Sequence, residues 1–468
     1  MHSFRKVTDR AKLITHDSIS TAGEFIRILV VGGGGREHCI VETLKRSGAE
    51  IFSVAGNRNP GIARAAKEFL LHDVMDAESV AAWAKPRSID LAVIGPEAPL
   101  GEGIVDKLAE VGIPAFGPSK AAAQIELSKE FARDLMRDYG VPGSINFWAF
   151  GSAKEFEKWL KHCDFEFVIK PIGLTGGKGV RVWGDHFNSK EEASTYVREI
   201  LRSKIGGTDR FLIEEKAVGE EFSLQAFSDG NEVIPMPLAQ DHKRAYEGDK
   251  GPNTGGMGSY SDADHLLPFV TQDDFQKALD IMRRTVKAMK ANDTPFRGCL
   301  YGGFMATKSG PMVLEFNARF ADPECMNVLP ILDGDFAEVC MGAATGSIPG
   351  GVMFAKKATV CKYVVPEGYG TKSLAGQPIE VDEKAVAEEG AKLFWAAVDE
   401  KDGRILTTSS RSLGVVGIED TLDRAEQVAE AALRHVRGRV YVRHDIGKKD
   451  VLARKVRRME EIRQGKVH

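Results

Sequence analysis

Runs of consecutive apolar residues alternate with segments of helical apolar spacing over the first quarter of the chain. Ile28–Val31, Glu50–Val54 and Asp90–Ile94 read as strands, and the stretches from Gly35 to Lys45 and from Ala77 to Ala84 read as helices. Strands alternating with helices argue for a parallel α/β sheet. That block closes near Phe116-Gly117-Pro118, and a single helical pattern over Ala121–Tyr139 leads to Pro142. A second block carries strands at Glu166–Lys170, Val180–Trp183 and Phe211–Glu215, a helix near Lys190–Arg202, and a glycine-rich loop at Gly173–Gly179 that is expected to be mobile. The third block holds strands at Phe222–Ser228 and Glu232–Pro237, the polar loop Asp241–Ser259, a helix at Phe275–Lys290 and the strand pair Gly302–Thr307 and Met312–Phe316. Strands at Ala358–Val364 and Leu413–Gly417, with a helix at Leu422–Val436, form a last small unit.

The fold class expected is therefore multidomain, α/β and α+β. It comprises an extension over 1–26, a parallel α/β domain over 27–126, a central domain over 127–350 with a lid at about 142–216, a small α+β domain over 351–447 and a basic tail over 448–468. Composition narrows the class further. Of 468 residues, 43% are apolar and 28% charged, as in ordinary globular proteins. Lys and Arg number 63 against 67 Asp and Glu, a net charge of −4 that gives no whole-chain drive toward nucleic acid or membrane. No apolar run approaches the ~18 residues that span a bilayer, so a membrane-spanning protein is excluded. The cysteines (Cys39, Cys163, Cys299, Cys325, Cys340, Cys361) form no CxxC pair, which argues against structural zinc and a disulfide scaffold. No apolar segment follows the basic residues of the first 25, so no secretory signal is read and the cytoplasm is the expected location.

Four segments carry candidate chemistry. Gly32-Gly33-Gly34-Gly35 lies between a strand and a helix, where backbone amides can hold an anion. A dinucleotide fingerprint requires glycine at Glu37, so phosphate suits this turn better than NAD, with a plain tight turn as the alternative. Lys170 followed by Gly173, Gly176, Gly177, Lys178 and Gly179 is not a Walker loop, yet two lysines and four glycines exceed what a hairpin needs and could clamp a triphosphate. In Leu314-Glu315-Phe316-Asn317-Ala318-Arg319, Glu315 and Asn317 share one strand face, and a carboxylate with an amide oxygen suits Mg²⁺. The long loop Asp241–Ser259, punctuated by Gly251, Gly255, Gly256 and Gly258, reads as functional. Ile213-Glu214-Glu215, a strand ending in acids, gains meaning only beside these.

In this order, the segments resemble the ATP-grasp ligases and, more narrowly, the glycinamide ribonucleotide synthetase family, over about residues 27–447. The resemblance rests on GGGGREH (32–38), GPEAPL (95–100), SKEFARDLM (128–136), VIKPIGLTGGKGV (168–180), IEEKAVGEE (213–221), QDHKRAYEGDKGPNTGGMGSYS (240–261), LEFNARFADPE (314–324) and SRSLGVVG (410–417). It implies ATP-dependent ligation of glycine to 5-phosphoribosylamine through glycyl phosphate, an early step of purine synthesis, with Mg²⁺ or Mn²⁺. It further implies that Lys129, Lys170, Gly176, Gly177, Lys178 and Gly179 surround the phosphates, that Glu214, Glu215, Lys216 and Ala217 line the adenine pocket, and that Glu221 holds ribose. Glu315 and Asn317 would bind metal. Gly34, Gly35, Arg36 and Glu37, together with Asp241, Lys243, Arg244, Pro252, Asn253, Thr254, Gly255 and Gly256, would take phosphoribosylamine. Arg319 and Asp322 would orient glycine or the acyl phosphate.

Lys216-Ala217, Pro171-Ile172 and Ala321 depart from the family pattern without removing a charge the chemistry needs. Another ATP-grasp ligase would not need the 240–261 loop, the failed fingerprint disfavours an oxidoreductase, and a nucleotide sensor would have lost Glu315 or Asn317. The expected partners are the small-molecule substrates, with no nucleic acid or membrane, and the expected state is a monomer or weak homodimer. The tail over 448–468 has eight Lys and Arg against three Asp and Glu, with Leu452, Val456, Met459 and Ile462 at helical spacing. It reads as an amphipathic helix that docks on the parent protein, the alternative being an acidic partner or RNA.

Overall fold

The computed structural model describes residues 25–173 and 179–466. The extension before Phe25 and the predicted phosphate ligands Gly176, Gly177 and Lys178, with most of their loop, lie outside the described residues.

Five parallel strands form the N-terminal sheet in the order Glu68–Leu71, Glu50–Ala55, Arg27–Val31, Leu91–Ile94, Ala115–Phe116. Ile28 to Val31 and Leu91 to Val93 are fully buried, which explains why their sequences are uninterrupted apolar runs. Strand order reverses between Arg27–Val31 and Leu91–Ile94, so the loops after both open into one crevice. Those loops are Gly32–Gly35 and the segment beginning Gly95-Pro96, and Gly95 N donates to Val31 O at 3.0 Å.

The expected single helix over Ala121–Tyr139 is two helices, Gln124–Leu127 and Lys129–Asp138. Ser128 between them is extended (φ −126°, ψ 106°), and its Oγ accepts from Phe131 N at 3.2 Å, capping the second helix. Apolar periodicity runs through such a break because the cap is polar and local. The lid is a four-stranded antiparallel sheet in the order Phe147–Phe150, Phe211–Glu215, Phe167–Pro171, Arg181–Val182. Helices Ala153–Leu160 and Lys190–Ser203 cover it around a core of its own that includes Phe156, Phe167, Val197 and Phe211.

The central sheet runs Val233–Pro235, Glu220–Asp229, Arg297–Thr307, Gly310–Asn317, all antiparallel, and helix Gln272–Ala291 packs on it. The C-terminal sheet contains a feature that periodicity did not reveal. Gln240–Asp241 and Gly258–Ser261, the two arms of the polar loop, pair with each other, and the second arm adds to Ala358–Pro366. Leu413–Glu419 and Lys392–Trp395 continue this sheet, and helix Leu422–Leu433 packs on it. The loop is thus anchored on the C-terminal sheet, while Ala239 just before it bridges Ser223 of the central one.

Candidate functional site

Strand Phe167–Pro171 delivers Lys170 toward the cleft below the lid. Its ammonium is 2.6 Å from Glu214 Oε2 and donates to Leu314 O at 3.1 Å. Arg133 Nε holds the other oxygen of Glu214 at 2.7 Å, and only 2% of that carboxylate side chain is exposed. Burial pushes Glu214 upward, but Arg133 and Lys170 outweigh it and bring its pKa down to about 2. Glu214, expected as adenine lining, is therefore the buried counter-ion that orients Lys170. Both of its oxygens are taken by cations. Glu215 accepts from Asn146 Nδ2 at 2.9 Å. Lys216 turns outward to Glu166 at 2.7 Å, and Ala217 follows half-buried. Lys129, at the start of its helix, donates to Gly173 O at 2.9 Å, and burial lowers its pKa. It stands at the near end of the segment that leads to Gly179.

Below the lysines, Glu221, Asp241, Lys243, Tyr301, Glu315 and Glu324 line one small polar cavity. Lys243 Nζ lies 2.9 Å from Glu221 and 4.0 Å from Glu315, and Glu221 raises the lysine well above its usual range. Asp241 Oδ1 is buried without a hydrogen-bond partner. Burial and the nearby Glu324 carboxylate raise Asp241, and burial raises Glu324, which is 3% exposed. Two close buried carboxylates that resist ionising together are suited to meeting a cation or amine. Glu315 and Asn317 face Gly303 and Tyr301 across the strand pair. The Asn317 amide, oriented by its hydrogen bonds, donates to Phe316 O at 2.9 Å and accepts from Arg319 Nη1 at 3.3 Å, leaving a lone pair on its oxygen. One carboxylate and one amide oxygen fit Mg²⁺ or Mn²⁺ whose other positions are filled by water and phosphate. Among the described residues no group of three or more His, Cys, Asp or Glu could hold a metal.

The segment after Asn317 is tied in on every side. Arg319 is 3.1 Å from Glu97 Oε2 and 2.8 Å from Glu126 Oε1, with 15% of its side chain exposed. The guanidinium holds Glu97 near pKa 2, whereas burial raises Glu126 to about 7. Arg319, expected to orient glycine or the acyl phosphate, ties the strand that carries Glu315 and Asn317 to Glu97 and Glu126 of the N-terminal domain. Asp322 accepts from Tyr363 Oη at 2.5 Å and Arg411 Nη2 at 2.9 Å. Arg411 also donates to Asp322 O at 2.9 Å and to the carbonyls of Gly255 and Gly256. A Cβ on Gly256 (φ +105°) would lie 2.6 Å from Asp241 Oδ1 and 2.7 Å from Pro323 Cδ, so only glycine lets this loop close on Asp322.

The N-terminal loop approaches from the opposite side. Gly34 N donates to Glu37 Oε2 at 2.6 Å, and Arg36 is bonded to Glu37 at 2.6 Å and to Phe320 O at 3.0 Å. Arg36 and Glu37, expected beside phosphoribosylamine, bond one another, and Gly34 and Phe320 supply their backbone partners. Part of the anion capacity expected of this turn is already filled by Glu37, for which Gly95 leaves room: a Cβ there would be 2.1 Å from Glu37 Oε1. Asn57 and Asn59 Nδ2 donate to Gly33 O at 3.2 and 3.0 Å. Within the polar loop, Thr254 Oγ1 bonds Lys243 O at 2.9 Å, Arg244 bonds Gly251 O at 2.9 Å and Asp185 at 3.2 Å, and Asn253 pairs with Arg244, with Pro252 between Gly251 and Asn253. Sequence reasoning missed Arg133, Glu126, Tyr363, Arg411 and Asn59. For Arg411 and Glu97 a signal existed, since each is a charge inside an otherwise apolar or glycine-rich motif, 410–417 and 95–100.

Comparison with known proteins shows the family. Family models for phosphoribosylglycinamide synthetase match residues 26–126 (N domain), 127–325 (ATP-grasp domain) and 359–449 (C domain). The chain is 48% identical over 438 residues to a phosphoribosylamine–glycine ligase of Methanothermobacter thermautotrophicus, covering 94% of this chain and 100% of the relative. It is 47% identical over 438 residues to that of Thermococcus kodakarensis, with the same coverage. The crystal structure of the phosphoribosylamine–glycine ligase of Thermotoga maritima superposes with a TM-score of 0.76 at 27% identity, covering 90% of this chain and 100% of that one. A biotin carboxylase of Campylobacter jejuni shares the fold, with a TM-score of 0.69 at 15% identity over 94% of this chain and 97% of its own.

Proposed function

The chain belongs to the phosphoribosylglycinamide synthetase family, and from that premise we propose how its residues carry out ligation. It is an ATP-grasp ligase that joins glycine to 5-phosphoribosylamine at the expense of ATP in purine biosynthesis, with a divalent metal ion. The observation that carries the residue assignment is that Lys170 bonds Leu314 O beside Glu315, and that Glu315 lines one cavity with Asp241 and Lys243 of the polar loop.

In the reading we favour, a glycine carboxylate oxygen attacks the γ-phosphorus and ADP leaves, giving glycyl phosphate. The amine of phosphoribosylamine then attacks the acyl carbon, phosphate leaves, and the amine gives up a proton. Phosphoryl transfer of this kind depends on positioning and charge neutralisation. Lys170, aimed by Glu214 and Arg133, and Lys129 neutralise the phosphate oxygens. Glu315 and Asn317 hold the Mg²⁺ or Mn²⁺, which supplies further charge neutralisation on the phosphates when bound. Glu221, at the start of strand Glu220–Asp229, which we read as the nucleotide strand, accepts from ribose, and its contact with Lys243 joins it to the substrate loop. Asp241 and Glu324, both with raised pKa values, are placed to receive an amine. Arg411 and Tyr363 hold Asp322, and Arg319 fixes the segment between.

The partners are these small molecules alone. No helix among the described residues is long and apolar enough to cross a membrane. The six cysteines are free and buried, which supports a reducing cytoplasm. We read the chain as a monomer or weak homodimer, its large exposed apolar residues being Phe25, Leu71, Met75, Tyr139, Tyr246 and Met353. The basic tail spends Arg458 and Arg463 on Glu220 and Asp274, which argues against nucleic acid. The test is ADP release with glycine and phosphoribosylamine omitted in turn. Release that needs both supports the reading, and ADP release at the same rate without either co-substrate overturns it.

A further inference from the structure

The match to the C domain ends at residue 449, where helix Lys449–Arg463 begins. Leu452, Val456, Met459 and Ile462 of this helix join the main core, so the tail docks on its own chain. Hydrophobic docking accounts for that stripe but not for where the charged face lands. Lys455, only 14% exposed along its side chain, sets its ammonium 3.4 Å from Glu220 Oε2 and 4.0 Å from Asp249 Oδ2. Arg458 adds a contact of 2.6 Å to the other oxygen of Glu220.

Those two acids belong to different parts of the site. Glu220 opens strand Glu220–Asp229 and is followed by Glu221, whose side chain points to the opposite face and meets Lys243. Asp249 sits between strands Arg244–Tyr246 and Lys250–Asn253 of the substrate loop, in the left-handed region at φ +55°. Arg443, fully buried, holds Asp249 at 2.9 Å and Asp445 at 2.7 Å, and His242 lies 3.4 Å from Asp249. Lys455 therefore adds a further tie, beside the Glu221–Lys243 contact, between the strand that carries Glu221 and the loop that carries Asp241 and Lys243.

We propose that helix Lys449–Arg463 is a positioning element for ligation, with Lys455 fixing the nucleotide strand against the substrate loop through Glu220 and Asp249. The proposal rests on the nucleotide and substrate roles given above. A cation between two acids on separate elements restrains their separation, and a displacement of an ångström at a reacting pair is costly in rate. Arg463 serves as the internal control. It bonds Asp274 at 2.8 Å and Phe269 O at 2.9 Å, on the same helix but away from the site.

The experiment compares Lys455→Met, Lys455→Arg and Arg463→Met in the full chain, measuring melting midpoint and KM for ATP and phosphoribosylamine. Lys455→Met should raise both KM values about tenfold whatever its fall in midpoint, and Lys455→Arg should recover most of the loss. Arg463→Met should lower the midpoint and leave both KM values unchanged. Wild-type KM values for Lys455→Met, or the same change in Arg463→Met, would overturn the proposal. Should Lys455→Met fail to fold, Glu220→Gln reads the tie from the strand side: raised KM values support it, and wild-type values refute it. Absence of ligation by the wild-type chain would instead count against the functional reading.

Discussion

Replacing Glu214 by Gln removes the carboxylate shared by Arg133 and Lys170, contacts of 2.7 and 2.6 Å, while keeping the shape of the side chain. The two cations bring Glu214 to about 2 despite its burial. Against an unfolded value of about 4.3, the difference of some two pK units corresponds to about 3 kcal/mol at neutral pH. An independent route gives a similar figure, because removing one partner of a buried pair costs about 3–5 kcal/mol through the charges left behind. Arg133 and Lys170 have side chains only 4% and 11% exposed, so water does little to compensate them.

The sign of the pH effect follows from the depressed value. Stability from Glu214 is fully present above about pH 4.3 and disappears as pH falls through about 2. The gap between wild type and Glu214→Gln should therefore be constant from neutral pH down to about 5 and shrink below about 4. For a unit of about 200 residues, 3 kcal/mol lowers a melting midpoint by about 6–12 °C. The measurement is a set of calorimetric scans against pH, with KM for ATP taken in parallel. Lys170 without its counter-ion loses its direction, so that KM should rise about tenfold. A variant that melts with the wild type, or a gap that widens below pH 4, would refute the reasoning.

Three further outcomes are expected. Glu315→Ala should lower turnover about a hundredfold or more at every Mg²⁺ concentration while leaving the melting midpoint in place, and wild-type turnover would remove Glu315 from the metal site. Arg411→Met should release Asp322 from Gly255 and Gly256 and lower kcat/KM for phosphoribosylamine about tenfold with KM for ATP unchanged, so an effect on ATP alone would contradict the assignment. Glu126, raised to about 7 by burial, contributes stability that is complete below about pH 4.3 and lost as pH rises through about 7. Glu126→Gln should flatten the fall in melting midpoint between about pH 5 and 8, worth about 1–3 kcal/mol, and an unaltered slope would count against it.

What sequence reading recovered and what it missed divide along a physical line. Parallel strands such as Ile28–Val31 announce themselves because both faces are buried, and Glu315 and Asn317 because strand alternation sets them on one face of an apolar run. Both signals are local. The ion pairs and hydrogen bonds that shape the site are not: Glu214 lies 81 residues from Arg133, Arg411 lies 89 from Asp322, and Ala318 N donates to Glu126 across 192. Nothing in the period of either segment says that these charges meet. Glu214 and Glu215 are adjacent acids at one strand end, and the sequence gives no means of telling which faces Lys170 and which faces Asn146. The same gap hid the protein partners of Arg36, Glu37 and Arg319: Glu37 and Phe320 for the first, Gly34 for the second, Glu97 and Glu126 for the third. A charge inside a motif of small or apolar residues is still informative, because burying it is costly unless a partner is waiting. Glu97 in GPEAPL and Arg411 in SRSLGVVG were therefore readable as one half of a pair, and the fold supplied the other half in Arg319 and Asp322.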